Sequence, residues 1–280
     1  MKTNEILEKF AKRVSAPDRE IDLVETALII ACNEYPELNI SDYQRRLNLM
    51  ADELQQRALG CRNVQDAVLA LNAYLFDELG FSGNLSDFND PRNSFLNDVL
   101  DRKLGIPISL SIIYMELGRR IGLAVSGVSF PGHFLVKIVT APGEVVLDPF
   151  SRGVSLDQDE LEQRLRYFSS PKHRSRPLPE LLRSAGNKQI ISRMLRNLKN
   201  VYLEAEDYKR ALDMVNFALA IAPGKPAEIR DRALIYDQMD CYRAAIEDYQ
   251  DYLMMSPRSE DAPYVKTRLA QLKLSVRRLH

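Results

Sequence analysis

The sequence predicts a helix-dominated α+β fold. Helical periodicity runs through residues 1–103 and returns from 186 onward, strand-like alternation is confined to 124–147, and a 34-residue repeat occupies the C-terminal part. With 280 residues the chain is long enough for about two domains at roughly 150 residues each. Apolar residues make up 45% and charged residues 28%, which suits a chain with a real core. Lys and Arg total 38 against 39 Asp and Glu, so no basic excess marks the chain as a nucleic-acid binder. No apolar run is long enough for a bilayer, and MKTNEILEKFAKR has acids where a leader needs an apolar stretch. The reading is a cytoplasmic protein, with no membrane and no nucleic-acid partner expected.

In the first segment (1–92, expected to pack on the core), Val24, Leu28, Ala31, Cys32 and Tyr35 form one helical stripe. Ser41 with Gln44 suggests a capping box for a helix reaching Leu54, and Asn63 with Asp66 opens another. GFSGNLSDFNDPR (80–92) reads as a loop. In the second segment (93–168), Phe95, Leu96, Val99 and Leu100 resume helical spacing. Gly105-Ile106-Pro107 then restarts the chain as a helix to about Arg120, with proline at the first position, where a missing N–H costs nothing. Strands are predicted over 124–128, 133–140 and 144–147, the last two joined by a turn at Ala141-Pro142-Gly143. Ser155 with Gln158 suggests the cap of a further helix. The acidic cluster Asp157, Asp159 and Glu160 suits the first turn of that helix better than a metal.

SSPKHRSRPLP begins a proline-rich, basic linker (169–185). From 186 to 280 the pattern is helical, and Tyr202 recurs as Tyr236, Tyr208 as Tyr242, Ala211 as Ala245 and Pro223 as Pro257. This is similar to tetratricopeptide repeats, in which small residues let paired helices approach. Such repeats imply a protein or peptide partner on their concave face; the alternative is helices that simply pack within the protein.

Three cysteines (Cys32, Cys61, Cys241) form no CxxC, so neither a disulfide framework nor a zinc-thiolate site is expected, and no metal or cofactor is implied. Of three histidines, His173 lies in the basic linker and His280 at the end; both read as solvated. His133, in PGHF at the entry to a strand, is the one placed for chemistry. Asp148 closes the next strand, so a hairpin brings an imidazole and a carboxylate toward one end of the sheet, where the acid would fix the ring tautomer. A nucleophile belongs at the start of the helix after Gly105, where free N–H groups favour an anion. The residues there are Ile108, Ser109, Leu110 and Ser111.

NSFLNDVLDRKLGIPISLSIIYMELGRRIGL, VSFPGHFLVKI and VLDPFSRG together resemble the transglutaminase-like core of bacterial SirB-type proteins, which joins a tetratricopeptide-like region. The resemblance implies a papain-like arrangement with a small antiparallel sheet. His133 matches the family's His and Asp148 its Asp. The Cys position falls at about Ile108 or Ser109, and neither is a thiol. Two readings follow. The chain is a protein-interaction or regulatory protein whose core is weak or inactive, or it is an acyl-transfer enzyme (an amide or ester hydrolase or a transamidase) with Ser109 as nucleophile, His133 as base and Asp148 as orienter. Asn93 or Asn97 would then support an oxyanion. Ser109 also reads as an ordinary first-turn serine, and the His133–Asp148 pair as a retained structural contact.

Overall fold

The computed structural model describes residues 3–140, 143–168 and 176–278. The turn residues Ala141 and Pro142, His173, His280 and the first part of the linker lie outside them. The chain divides into two units, Met1–Lys9 with Ala16–Met194, and Phe10–Ser15 with Leu195–His280.

The first unit is built around two helices with little polar surface. Helix α2 (Leu23–Glu34) follows α1 (Thr3–Val14) and is buried from Leu23 through Cys32 apart from Glu25. Helix α6 (Pro107–Arg120) is buried at all positions from Pro107 to Met115. A helix apolar on most sides can only be interior, and α3 (Ile40–Ala58), α4 (Val64–Asn72) and α5 (Leu96–Arg102) surround this pair. Asn39, not Ser41, caps α3 by accepting the Ser41 N–H. Asn63 caps α4 through the Asp66 N–H, as the sequence suggested. After α4 the chain widens into one π turn over Ala73–Glu78, for which no sequence signal was read.

Two two-residue strands, β1 (Ser82–Gly83) and β2 (Leu104–Gly105), pair in parallel. The main sheet is antiparallel in the order β3 (Val125–Val128), β4 (Leu135–Thr140), β5 (Gly143–Asp148), β6 (Val154–Leu156). Three of these lie where strands were predicted, although burial does not alternate along β4 or β5 because both faces are covered over part of their length; β6, three residues long, was not predicted. One sheet face carries Val128, Leu135, Val146 and Leu156, which close a core with Leu161 and Leu165 of α7 (Gln158–Phe168) and Leu181 of α8 (Leu178–Leu181). Helix α6 packs on the other face against β3 and β4. Asp157 and Glu160 cap α7 reciprocally, each accepting the other's backbone N–H, and replace the expected Ser155 and Gln158.

In the second unit the repeat is visible in the backbone as well as the side chains. Helix α9 (Asn187–Glu204), which belongs to this unit from Leu195 on, and α10 (Tyr208–Ile221) form one hairpin, and α11 (Pro226–Gln238) and α12 (Tyr242–Met255) the next, followed by α13 (Ala262–Arg278). Glu206 and Asp240, 34 residues apart, both turn with a left-handed φ, 55° and 56°. Ala211 and Ala245 are fully buried, as close helix approach requires. No helix among the described residues is long and apolar enough to cross a membrane.

Candidate functional site

The β4–β5 register sets Lys137 opposite Val146 and Val136 opposite Leu147. Because side chains alternate, Asp148 shares a face with Val146 and lies across from Leu135, on the side to which His133 also belongs. There His133 Nε2 stands 2.8 Å from Asp148 Oδ1.

Asp148 is completely buried and fully engaged. Besides His133, its Oδ1 accepts the Phe150 N–H at 3.1 Å, and its Oδ2 accepts Ser151 Oγ at 2.9 Å and Arg164 Nη1 at 2.7 Å. The local sequence explains this. Pro149 turns the chain into a single 3-10 turn that returns Phe150 and Ser151 to the acid, and the Leu161 and Leu165 face of α7 fixes Arg164 beside it. Burial alone would raise the carboxyl pKa. The hydrogen bonds and charges of His133 and Arg164 outweigh it and hold the acid at about 2, well below its usual range. An ionised carboxylate can only accept, so Nε2 of His133 carries a proton, and in the neutral ring Nδ1 is the accepting nitrogen. Nδ1 has no hydrogen-bond partner among the described residues, and 18% of the side chain is exposed. The imidazole lies edge-on to Phe150 at 5.9 Å, and Phe150 is edge-on to the half-exposed Phe88 at 6.0 Å. A Cβ on Gly83 would come within 2.5 Å of the Phe150 ring, so that ring can seat only against a glycine.

Ser109 has a different set of contacts. Its side chain is fully buried, and Oγ donates to the Asn93 carbonyl at 2.6 Å while accepting the Ile106 N–H at 3.0 Å. One hydroxyl proton makes one donation, so this serine satisfies an orphan N–H at the start of α6 and ties that start to Asn93. Gly105 makes room for it, since a Cβ there would lie 2.8 Å from Oγ. The Asn93 side chain is also occupied. Its Nδ2 donates to the carbonyls of Asp87 at 2.7 Å and Phe88 at 3.3 Å, and its Oδ1 accepts Asn84 Nδ2 at 3.1 Å. Asn97 is buried on α5, and its Oδ1 has no hydrogen-bond partner among the described residues.

The structure thus brings His133 and Asp148 together, and Ser109 to the backbone of Asn93. No hydrogen bond among the described residues joins the two groups. Sequence reasoning did not single out Arg164 and Ser151, the other two side chains on Asp148. The sole signal for Ser151 was its position one turn after Asp148. Arg164 left the ordinary signature of a charge on an amphipathic helix.

Comparison with known proteins follows the same outline. The transglutaminase-like superfamily profile matches residues 41–196, and a tetratricopeptide repeat profile matches residues 198–270. A UPF0162 protein of Xylella fastidiosa (strain Temecula1) is 38% identical over 256 residues, 91% of each chain. A UPF0162 protein of Vibrio cholerae is 34% identical, over 90% of this chain and 93% of its own. Protein SirB1 of Salmonella typhimurium is 27% identical over 84% of this chain and 86% of its own. The chain belongs to the transglutaminase-like superfamily, in the form whose core is followed by tetratricopeptide repeats.

Proposed function

We propose that this chain is a cytoplasmic protein-interaction or regulatory protein, in which the tetratricopeptide-like helices bind a protein or peptide partner and the transglutaminase-like core is catalytically weak or silent. One observation carries this reading. At the helix start where a reactive thiol is expected, the chain has Ser109, whose hydroxyl is buried and donates to the Asn93 carbonyl. A serine hydroxyl is far less acidic than a thiol and needs a base in contact with it to attack. The test uses a partner captured by the full chain. Binding retained by His133→Ala and lost on deleting residues 186–280 supports the reading; binding lost with His133→Ala and retained by the deletion refutes it.

A second reading is favoured by the open Nδ1 of His133 beside an ionised Asp148. It is acyl transfer to or from an amide or ester. The Ser109 hydroxyl exchanges its bond to Asn93 for one to Nδ1, and its oxygen attacks the carbonyl carbon as the proton passes to the imidazole. The leaving amine or alcohol takes that proton, and water or an amine releases the acyl group. Asn93 or Asn97 supports the oxyanion. A panel of amide and ester substrates checks it, with turnover lost in both Ser109→Ala and His133→Ala as the expected result. Turnover unchanged in both variants rejects the assignment.

A further inference from the structure

Away from His133, the first unit holds a cavity of about 950 Å³ between α4 and the β4–β6 part of the sheet. Typical small-molecule sites span about 300–1,000 Å³. Its floor is Ile138, Val145 and Leu147, and its rim includes Leu69 and Val154. Leu69 is 59% exposed, Val145 38% and Val154 53%, so three large apolar side chains face water around one hollow. Among the described lining residues a single side chain is charged, Arg152. It sits in a left-handed backbone turn (φ 61°) and pairs with Asp77. Both partners are more than half exposed, so the pair is weak and its guanidinium can exchange one carboxylate for another.

The walls discriminate between an alkyl chain and a peptide. The floor strands β4 and β5 pair their backbone on both sides, whereas the edge strand β6 and the first turn of α4 leave backbone groups open only at the margin of the hollow. Asn72 is already taken, donating to the Gly153 carbonyl at 3.1 Å and accepting the Tyr114 hydroxyl at 2.8 Å. A buried peptide would bring an N–H and a C=O per residue with too few partners, whereas an alkyl chain brings none. We propose that this cavity binds a small anionic amphiphile, a medium-chain monocarboxylate. Its chain lies against Leu69 and Val145, and its carboxylate takes the place of Asp77 on Arg152.

This site is independent of the partner-binding reading. Titration calorimetry of the full chain with hexanoate, octanoate and decanoate, and with 1-octanol, tests it. Binding with one ligand per chain should tighten about fourfold per methylene. Arg152→Gln should weaken octanoate roughly tenfold and leave octanol unchanged. Leu69→Asp, at an exposed position that leaves folding intact, should abolish both. Absence of binding, affinity independent of chain length, or wild-type binding by Leu69→Asp overturns the proposal. Equal losses for octanoate and octanol in Arg152→Gln overturn the anionic end of it.

Discussion

In the first unit, Asp148 gathers His133, Arg164, Ser151 and a backbone N–H around one buried carboxylate and leaves an imidazole nitrogen unengaged. In the second, acids and bases close on one another between helices. Lys199 of α9 meets Glu228 at 2.8 Å and Asp231 at 2.5 Å on α11. The Arg232 guanidinium holds both oxygens of Asp248, and Arg268 both oxygens of Asp237, each bond being 2.7 Å. Both arrangements remove charge from water at a cost that only complete pairing offsets. They differ in what is left over. The repeat network spends its donors on neighbouring helices and fixes how they stack, while the core network ends in an open base.

The largest test of that difference is Lys199→Met. Only 5% of the Lys199 side chain is exposed and 7% of Glu228, so the substitution strips a buried carboxylate of its buried partner and leaves it the more exposed Lys225 alone. Burial by itself would raise the Glu228 pKa, but Lys199 and Lys225 hold it below its usual value. Loss of roughly 3–5 kcal/mol is expected for breaking such a pair. A urea titration followed by far-ultraviolet circular dichroism measures it. A loss below about 1 kcal/mol, the surface-pair range, would show that the network is not structural glue.

Asp148→Asn comes next and has a pH signature. The carboxyl falls from an ordinary value of 3.8 to about 2 on folding, so the folded state holds its proton less tightly than the unfolded chain. Its stabilising contribution is therefore complete above about pH 4 and disappears as the pH falls toward 2, and the shift corresponds to about 2 kcal/mol. The variant should unfold at lower urea than the wild type at pH 7, and the gap should close in acid. A gap independent of pH would mean that shape, not charge, made the difference.

These two networks were unequally legible in the sequence. The tetratricopeptide period exposed the second unit because each repeat must bury the same face, which forces Ala211 and Ala245, then Pro223 and Pro257, into register. The ion pairs that join α9, α11 and α13 carry no such signal, since a charged residue on a helix looks solvated until its neighbour is known. In the core, the hairpin brought His133 and Asp148 toward one end of the sheet, but the register that sets them face to face was not legible in the sequence. The contacts of Ser109 were not legible either. Its hydroxyl depends on Asn93, 16 residues earlier, and on the close passage of Gly105.

Ser109→Ala sharpens the comparison on the core side. Oγ serves the Ile106 N–H at 3.0 Å, and that N–H also lies 3.4 Å from the Asn93 carbonyl. The fallback acceptor limits the cost to about 1 kcal/mol, the usual size of a lost helix cap. Chemical denaturation checks the figure, and a loss above about 3 kcal/mol would mark Ser109 as a keystone comparable to Lys199.

The smallest effect belongs to Lys225→Ala, which acts on the same carboxylate as Lys199 from outside. Lys225 Nζ lies 3.1 Å from Glu228 Oε1, but 37% of its side chain is exposed. The Lys225 side chain is partly open to water, and Lys199 keeps the other Glu228 oxygen compensated when it is removed. The expected cost is under about 1 kcal/mol and should shrink further in high salt. Comparing urea midpoints of Lys225→Ala and Lys199→Met at low and high ionic strength isolates burial from charge, because one acid faces both lysines. Equal losses at both positions would mean that burial does not rank these pairs. The contrast between the units would then have to rest on the open nitrogen of His133 alone.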